Sequence, residues 1–114
     1  MIPSVDGRTF VGAHNSASGE VSGETVFRYH EHDGMVWAEY GGGAVVRGYL
    51  VGTRTGDDLD FRYVHLSAGG GTASGHCTAR LELLTDGRIR SHETWQWESR
   101  DGAGSSVVEE CPPA

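Results

Sequence analysis

The sequence predicts an all-β domain, an antiparallel up-and-down barrel of about eight strands, and three observations carry that prediction. Apolar and polar residues alternate with period two along most of the chain. Turn residues interrupt the alternation at intervals of about 8–12 positions, the spacing of small all-β domains. No window keeps an i, i+3, i+4, i+7 apolar stripe for more than about two turns. Eighteen of the 114 residues are Gly, roughly twice the ordinary ~7% share. The length allows one domain, 1–114, with residues 1–8 and 111–114 expected as flexible ends.

The elements follow in order. Residues 9–15 read as a first strand and 16–23 as a loop of small and polar residues. The second strand is 24–31, ended by His32-Asp33-Gly34, where Asp-Gly supplies the positive φ angles of a type I′ hairpin. Residues 35–40 return as the third strand. Gly41, Gly42 and Gly43 make a loop or a bulge, and 44–53 is the fourth strand, with Gly48 and Gly52 leaving room for a bend or a close neighbour. After Asp57-Asp58 comes a fifth strand, 59–66, and after a glycine loop at 67–71 a long sixth, 72–84. Thr85-Asp86-Gly87 forms another Asp-Gly hairpin, 88–98 is the seventh strand, and 105–110 is a short eighth. Closing such a meander removes exposed sheet edges, and an eight-stranded barrel has room for side chains or one small ligand. A two-sheet β-sandwich is the structural alternative.

Nine basic residues, all Arg, stand against 16 acidic ones, for a net charge of −7. The absence of Lys removes Schiff-base chemistry and the phosphate-loop lysine. Scattered arginines on an acidic chain argue against nucleic acid as a partner. No apolar run approaches the ~18 residues that span a bilayer, so no membrane partner is expected. Met1-Ile2-Pro3-Ser4-Val5-Asp6 shows no basic segment leading into an apolar stretch, and the expected location is the cytoplasm. In that reducing setting Cys77 and Cys111 are expected as free thiols, with a tail-clipping disulfide as the alternative.

Taking odd-numbered strand residues as inward gathers Phe27, Tyr29, Trp37, Tyr49, Phe61, Tyr63, Leu81, Leu83, Ile89, Trp95 and Trp97. The even face holds Arg28, His30, Asp60, Arg62, Arg80, Glu82, Arg88, Arg90, His92, Gln96 and Glu98. In the fourth strand the choice is open, because Val46, Gly48 and Leu50 compete with Arg47 and Tyr49, and a bulge near Gly41–Gly43 would flip the register. Polar exceptions on the odd face carry the chemistry: Glu39, His65 and Glu93. A carboxylate and an imidazole among aromatic rings form a candidate acid–base pair, with burial raising the carboxyl pKa. Against this, both lie near strand ends, where water would satisfy them.

Other motifs carry less. His30 and His32 share a strand face, a spacing a metal can use, but no third ligand stands near, and no metal is expected. Gly69-Gly70-Gly71-Thr72 lacks the Gly-Lys ending and following helix of a phosphate loop. Ser105 and Ser106 show no nucleophile elbow. No attachment motif supports haem at His65 or His92, and no cofactor is expected.

The run Asp86-Gly87-Arg88-Ile89-Arg90, His92-Glu93 and Trp95-Gln96-Trp97 resembles a family of small bacterial proteins. So do the 19–25 loop, Leu59-Asp60-Phe61-Arg62-Tyr63, Gly75 with Cys77, and the 106–110 ending. The resemblance implies a lipocalin-like (calycin-type) barrel. Members carry the label N-acetylglutamate synthase, a reaction for which this sequence lacks the glycine loop and helix that would bind acetyl-CoA; no catalytic residue transfers.

The expected function is therefore a barrel binding a small hydrophobic or aromatic molecule, lined by Tyr29, Trp37, Phe61, Tyr63, His65, Glu93, Trp95 and Trp97. The alternative is a cofactor-independent isomerase, cyclase or lyase with Glu93 and His65 as catalytic pair. A third reading is a filled barrel acting through contact with another protein, a homodimer being the simplest assembly.

Overall fold

The computed structural model describes residues 2–17 and 19–112. Residues 113 and 114 of the expected flexible tail lie outside the described residues. Eight strands follow one another: β1 (Thr9–Asn15), β2 (Val26–His32), β3 (Met35–Gly42), β4 (Val45–Thr55), β5 (Asp58–Ser67), β6 (Thr72–Leu83), β7 (Ile89–Trp97) and β8 (Ala103–Glu110). Each is antiparallel to its sequence neighbour, and β1 pairs with β8 from Phe10↔Glu110 to Asn15↔Ser106, so the sheet closes into a barrel. That closure leaves no free sheet edges and rules out the sandwich. No helix among the described residues is long and apolar enough to cross a membrane.

The turns form as their residues dictate. Asp33 (φ 50°) and Gly34 (φ 75°) both take positive φ, the requirement of a type I′ hairpin. Gly87 (φ 90°) does the same in the loop between β6 and β7, whose base is the Leu84 N–H donating to the Arg88 carbonyl at 2.8 Å.

Which residues face inward departs from a uniform odd-numbered face, for a geometric reason. Residues directly paired across two strands share a face. A two-residue hairpin pairs residues of opposite parity, as in His32↔Met35 and Thr55↔Asp58, so the inward parity must switch there. β2 therefore buries Phe27 and Tyr29, but β3 buries Val36, Ala38 and Tyr40. Trp37 consequently stands on the outer face, 40% exposed and stacked on His30 at 5.5 Å, and is not a lining residue as expected. Glu39 is outside as well, paired with His30 at 2.7 Å. In β4 the open choice resolves to Val45, Gly48 and Leu50 inward and Tyr49 outward, after register shifts at Tyr40/Gly42 and Val45/Arg47. Leu83, at the end of β6, is exposed. Odd parity holds in β5, β6 and β7, and β8 buries Ser106 and Val108.

The lower end is stoppered by the N-terminal segment. Val5 is buried in the core, and its N–H donates to Glu31 Oε1 at 3.0 Å. Arg54 sits almost buried beneath it and donates to the carbonyls of Ile2 (2.8 Å), Pro3 (2.9 Å) and Gly56 (2.8 Å) and to Glu31 (3.1 Å). A guanidinium has the planar donor fork for this work, and Glu31 balances its charge. Residues expected as a loose end are thus packed from Ile2 onward.

Gly48 faces inward where the Tyr40 ring and His65 Cβ approach so closely that an added Cβ would meet both. Gly48→Ala should cost about 1–3 kcal/mol, the usual penalty of overpacking. Gly69→Ala, with nothing within 4 Å of an added Cβ, should stay within about 0.5 kcal/mol; paired urea unfolding curves measure both.

Candidate ligand-binding site

Every strand contributes to one recess at the end opposite the N-terminal stopper. Asn15 ends β1, and Gly19, Glu20 and Val21 come from the strap between β1 and β2. Phe27, Tyr40, Leu50, Phe61, Tyr63, His65, Cys77, Glu93, Trp95, Trp97 and Ser106 supply the walls and floor. The inner cavity holds about 50 Å³, and the recess reaches about 450 Å³ when its open mouth is counted. The inner space has room for a few waters and is well below the ~300–1,000 Å³ of small-ligand sites; the larger figure includes open solvent at the mouth.

The strap is tied down by its acid. Glu20 Oε1 accepts from His65 Nε2 at 3.0 Å, Ser67 Oγ at 3.1 Å and Arg100 at 3.0 Å. Burial pulls the Glu20 carboxyl up, but the hydrogen bonds from His65 and Ser67 and the Arg100 charge outweigh it and hold the group below its ordinary range. As a carboxylate, Glu20 requires a proton on His65 Nε2, while Nδ1 bonds the Tyr40 hydroxyl at 2.9 Å. Burial raises the Tyr40 phenol far above its ordinary value, so it remains a donor. The sign follows: the strap's anchorage is complete at neutral pH and fades as pH falls below the usual carboxylate range. Asn15 reinforces it, donating to the Val21 carbonyl at 3.1 Å and accepting from Trp95 Nε1 at 3.2 Å.

Deeper in, Glu93 lies buried on β7 with Ser106 donating to Oε1 at 2.8 Å. Desolvation pushes its pKa up to about 7, against the pull of the Ser106 hydrogen bond. Burial, with the Glu93 charge second, also raises the Cys77 thiol well above its usual value, which favours the protonated thiol; both cysteines are free. The Tyr29 hydroxyl, raised first by burial and then by Glu93, has no hydrogen-bond partner among the described residues.

The expected lining residues Phe61, Tyr63, His65, Glu93, Trp95 and Trp97 meet in this recess. Tyr29 is buried below it against Phe10, with ring centroids 5.1 Å apart. His65 and Glu93 do not pair: the imidazole bonds Tyr40 and Glu20, the carboxyl bonds Ser106. Sequence reasoning missed Tyr40 and Glu20. The parity switch at Asp33-Gly34 is a signal that places Tyr40 inside; a strap residue has no periodicity to reveal it. His30 and His32 pair with Glu39 and Asp33, respectively, on the outer surface.

Compared with known proteins, residues 3–111 match the family model described as Avidin-like protein. No curated protein and no solved structure matches. The match agrees with the calycin-type barrel that the sequence resemblance implied, under an avidin-like rather than a lipocalin-like family.

Glu93 makes stability fall with pH. Between about pH 4.5, the ordinary value, and about 7 the folded chain keeps a proton that the unfolded chain releases, a penalty reaching roughly 3 kcal/mol above neutrality. Glu93→Gln, which keeps a partner for Ser106, should raise unfolding free energy at pH 8 by about 1–3 kcal/mol and leave it unchanged at pH 4, measured by urea titration at the two pH values.

Proposed function

The chain belongs to the avidin-like protein family, and from that premise we propose that it is a small-molecule binding barrel, holding an apolar or aromatic ligand in its recess. The observation that carries this reading is the recess itself: Phe61, Tyr63, Trp95 and Trp97 line one opening to which all eight strands contribute. The tryptophans and Tyr63 are inclined to one another, Trp95–Trp97 at 5.4 Å and 58° and Tyr63–Trp97 at 5.7 Å and 64°. Flat groups entering from the mouth would meet their faces and edges. His65 and Glu93 form no pair of their own, the imidazole bonding Tyr40 and Glu20 and the carboxyl bonding Ser106, so the recess offers no coupled acid–base dyad.

Trp95→Ala should abolish intrinsic tryptophan quenching by a flat ligand drawn from a panel of hydrophobic compounds that includes biotin, a small molecule associated with the family. A panel that leaves both tryptophan emission and Tm of the parent protein unchanged would sink the binding reading.

We further infer a homodimer through the outer face of β3, β4 and β5. Trp37 lies directly across from Val51, and Tyr49 from Val64, with Met35, Val46 and Leu66 beside them. Their exposures run from 38% to 64%. Together they leave several hundred Å² of apolar surface, at the upper end of what a monomer shows. A two-fold axis along β4 sets Val51 on the partner's Val51 and Trp37 over the partner's Arg62, an arrangement suited to cation–π contact. Sedimentation at tens of micromolar should find dimers for the parent and monomers of unchanged circular dichroism for Val51→Arg. A monomeric parent across that range would dismiss the interface.

A further inference from the structure

We propose that the recess takes a small organic cation, an ammonium or substituted amine whose charge lies against the Glu93 carboxylate inside the wall formed by Trp95, Trp97 and Tyr63. This deepens the ligand-binding reading and rests on it.

The first support is an acid with no cation paired with it among the described residues. Glu93 is buried, and the hydrogen bond it accepts comes from the neutral Ser106 hydroxyl. The arginines stand elsewhere: Arg100 and Arg54, nearest the two ends of the interior, serve Glu20 and Glu31. A buried carboxyl group without a counter-charge is costly as an anion, and a cationic ligand would supply what the fold omits.

The second support is the ring geometry. Trp95, Trp97 and Tyr63 are inclined to one another by 58° and 64° rather than stacked. These rings line the same recess as Glu93, and aromatic faces attract a cation by their quadrupoles. Trp97 already takes one cation, the Arg100 guanidinium 4.4 Å from its ring centroid at the mouth.

The third support is that the donors nearest the Glu93 side of the recess are engaged. His65 and Tyr40 spend their hydrogen bonds on each other and on Glu20, and Arg100 at the mouth pairs with Glu20. A ligand carboxylate reaching inward would face the Glu93 carboxyl, in a chain of net charge −7.

Binding of a cation favours the ionised form of Glu93, so affinity should rise as pH passes through about 7. Among the groups around Glu93, Tyr29 on β2, Tyr40 on β3, Tyr63 on β5 and Cys77 on β6 are all raised by burial and stay neutral. His65 on β5 bonds Tyr40 and Glu20 rather than Glu93, and Ser106 on β8 does not titrate.

Three probes of one shape test the charge: benzylammonium, benzyl alcohol and benzoate, titrated calorimetrically into the intact protein with tryptophan emission recorded. At pH 8 benzylammonium should bind at least tenfold tighter than benzyl alcohol, and benzoate weakest of all. That preference should shrink at pH 5.5 and vanish in Glu93→Gln. Trp97→Leu, which leaves the carboxyl in place, should weaken benzylammonium several-fold. If benzyl alcohol or benzoate matches benzylammonium, or if Glu93→Gln keeps the preference, the cation is overturned while a ligand-binding barrel stands. Failure of all three probes to bind overturns both.

Discussion

The pairing of β1 with β8 is the constraint on which the rest of the molecule depends. Without it the meander would be an open sheet with two exposed edges and water on both faces. With it, every strand acquires one dry face and one wet face, and alternation along the chain becomes alternation between two media. The interior environment felt by Glu93, Cys77 and Tyr29 is a product of that closure, because none of the three is desolvated by its own sequence neighbours. The two ends are then finished differently. Arg54 anchors the N-terminal segment across one end by its backbone carbonyls. The other end is covered by a strap whose carboxylate gathers His65, Ser67 and Arg100.

Two glutamates show how position decides chemistry in such a barrel. Glu20, at the mouth, has an arginine and two further donors, and its carboxyl is pulled below its ordinary range despite partial burial. Glu93, two inward positions beneath Trp97, has neutral serine hydroxyls beside it and no cation paired with it among the described residues, and its carboxyl rises to about 7. Their contributions to stability run oppositely with pH: that of Glu20 is lost toward acid, that of Glu93 grows more unfavourable toward base. A group kept at such a cost inside a small core, where Gly48 and Leu50 otherwise leave tight apolar packing, is the feature least explained by folding alone.

Much of this was legible in the chain. Period-two alternation and the Asp-Gly turns located all eight strands, most bounds within two residues, because strand pleat and turn φ are local properties. The aromatic wall at Phe61, Tyr63, Trp95 and Trp97 was legible too, since β5 and β7 keep odd residues inward. Trp37 was misplaced by carrying that parity through a two-residue hairpin, although the hairpin's own length requires the switch. Glu20 was not legible at all: a strap residue acquires its role only when 45 positions of chain bring His65 beneath it.

The sequence by itself determined the strand count, the turn types and the abundance of aromatic side chains, all set by interactions between residues a few positions apart. The tertiary structure alone decided which residues share the interior, that His65 answers to Tyr40 and Glu20 rather than to Glu93, and that Glu93 has no counter-charge. Those outcomes depend on register across eight paired strands and on the loss of water that closure imposes, and neither is encoded at any single stretch of the chain.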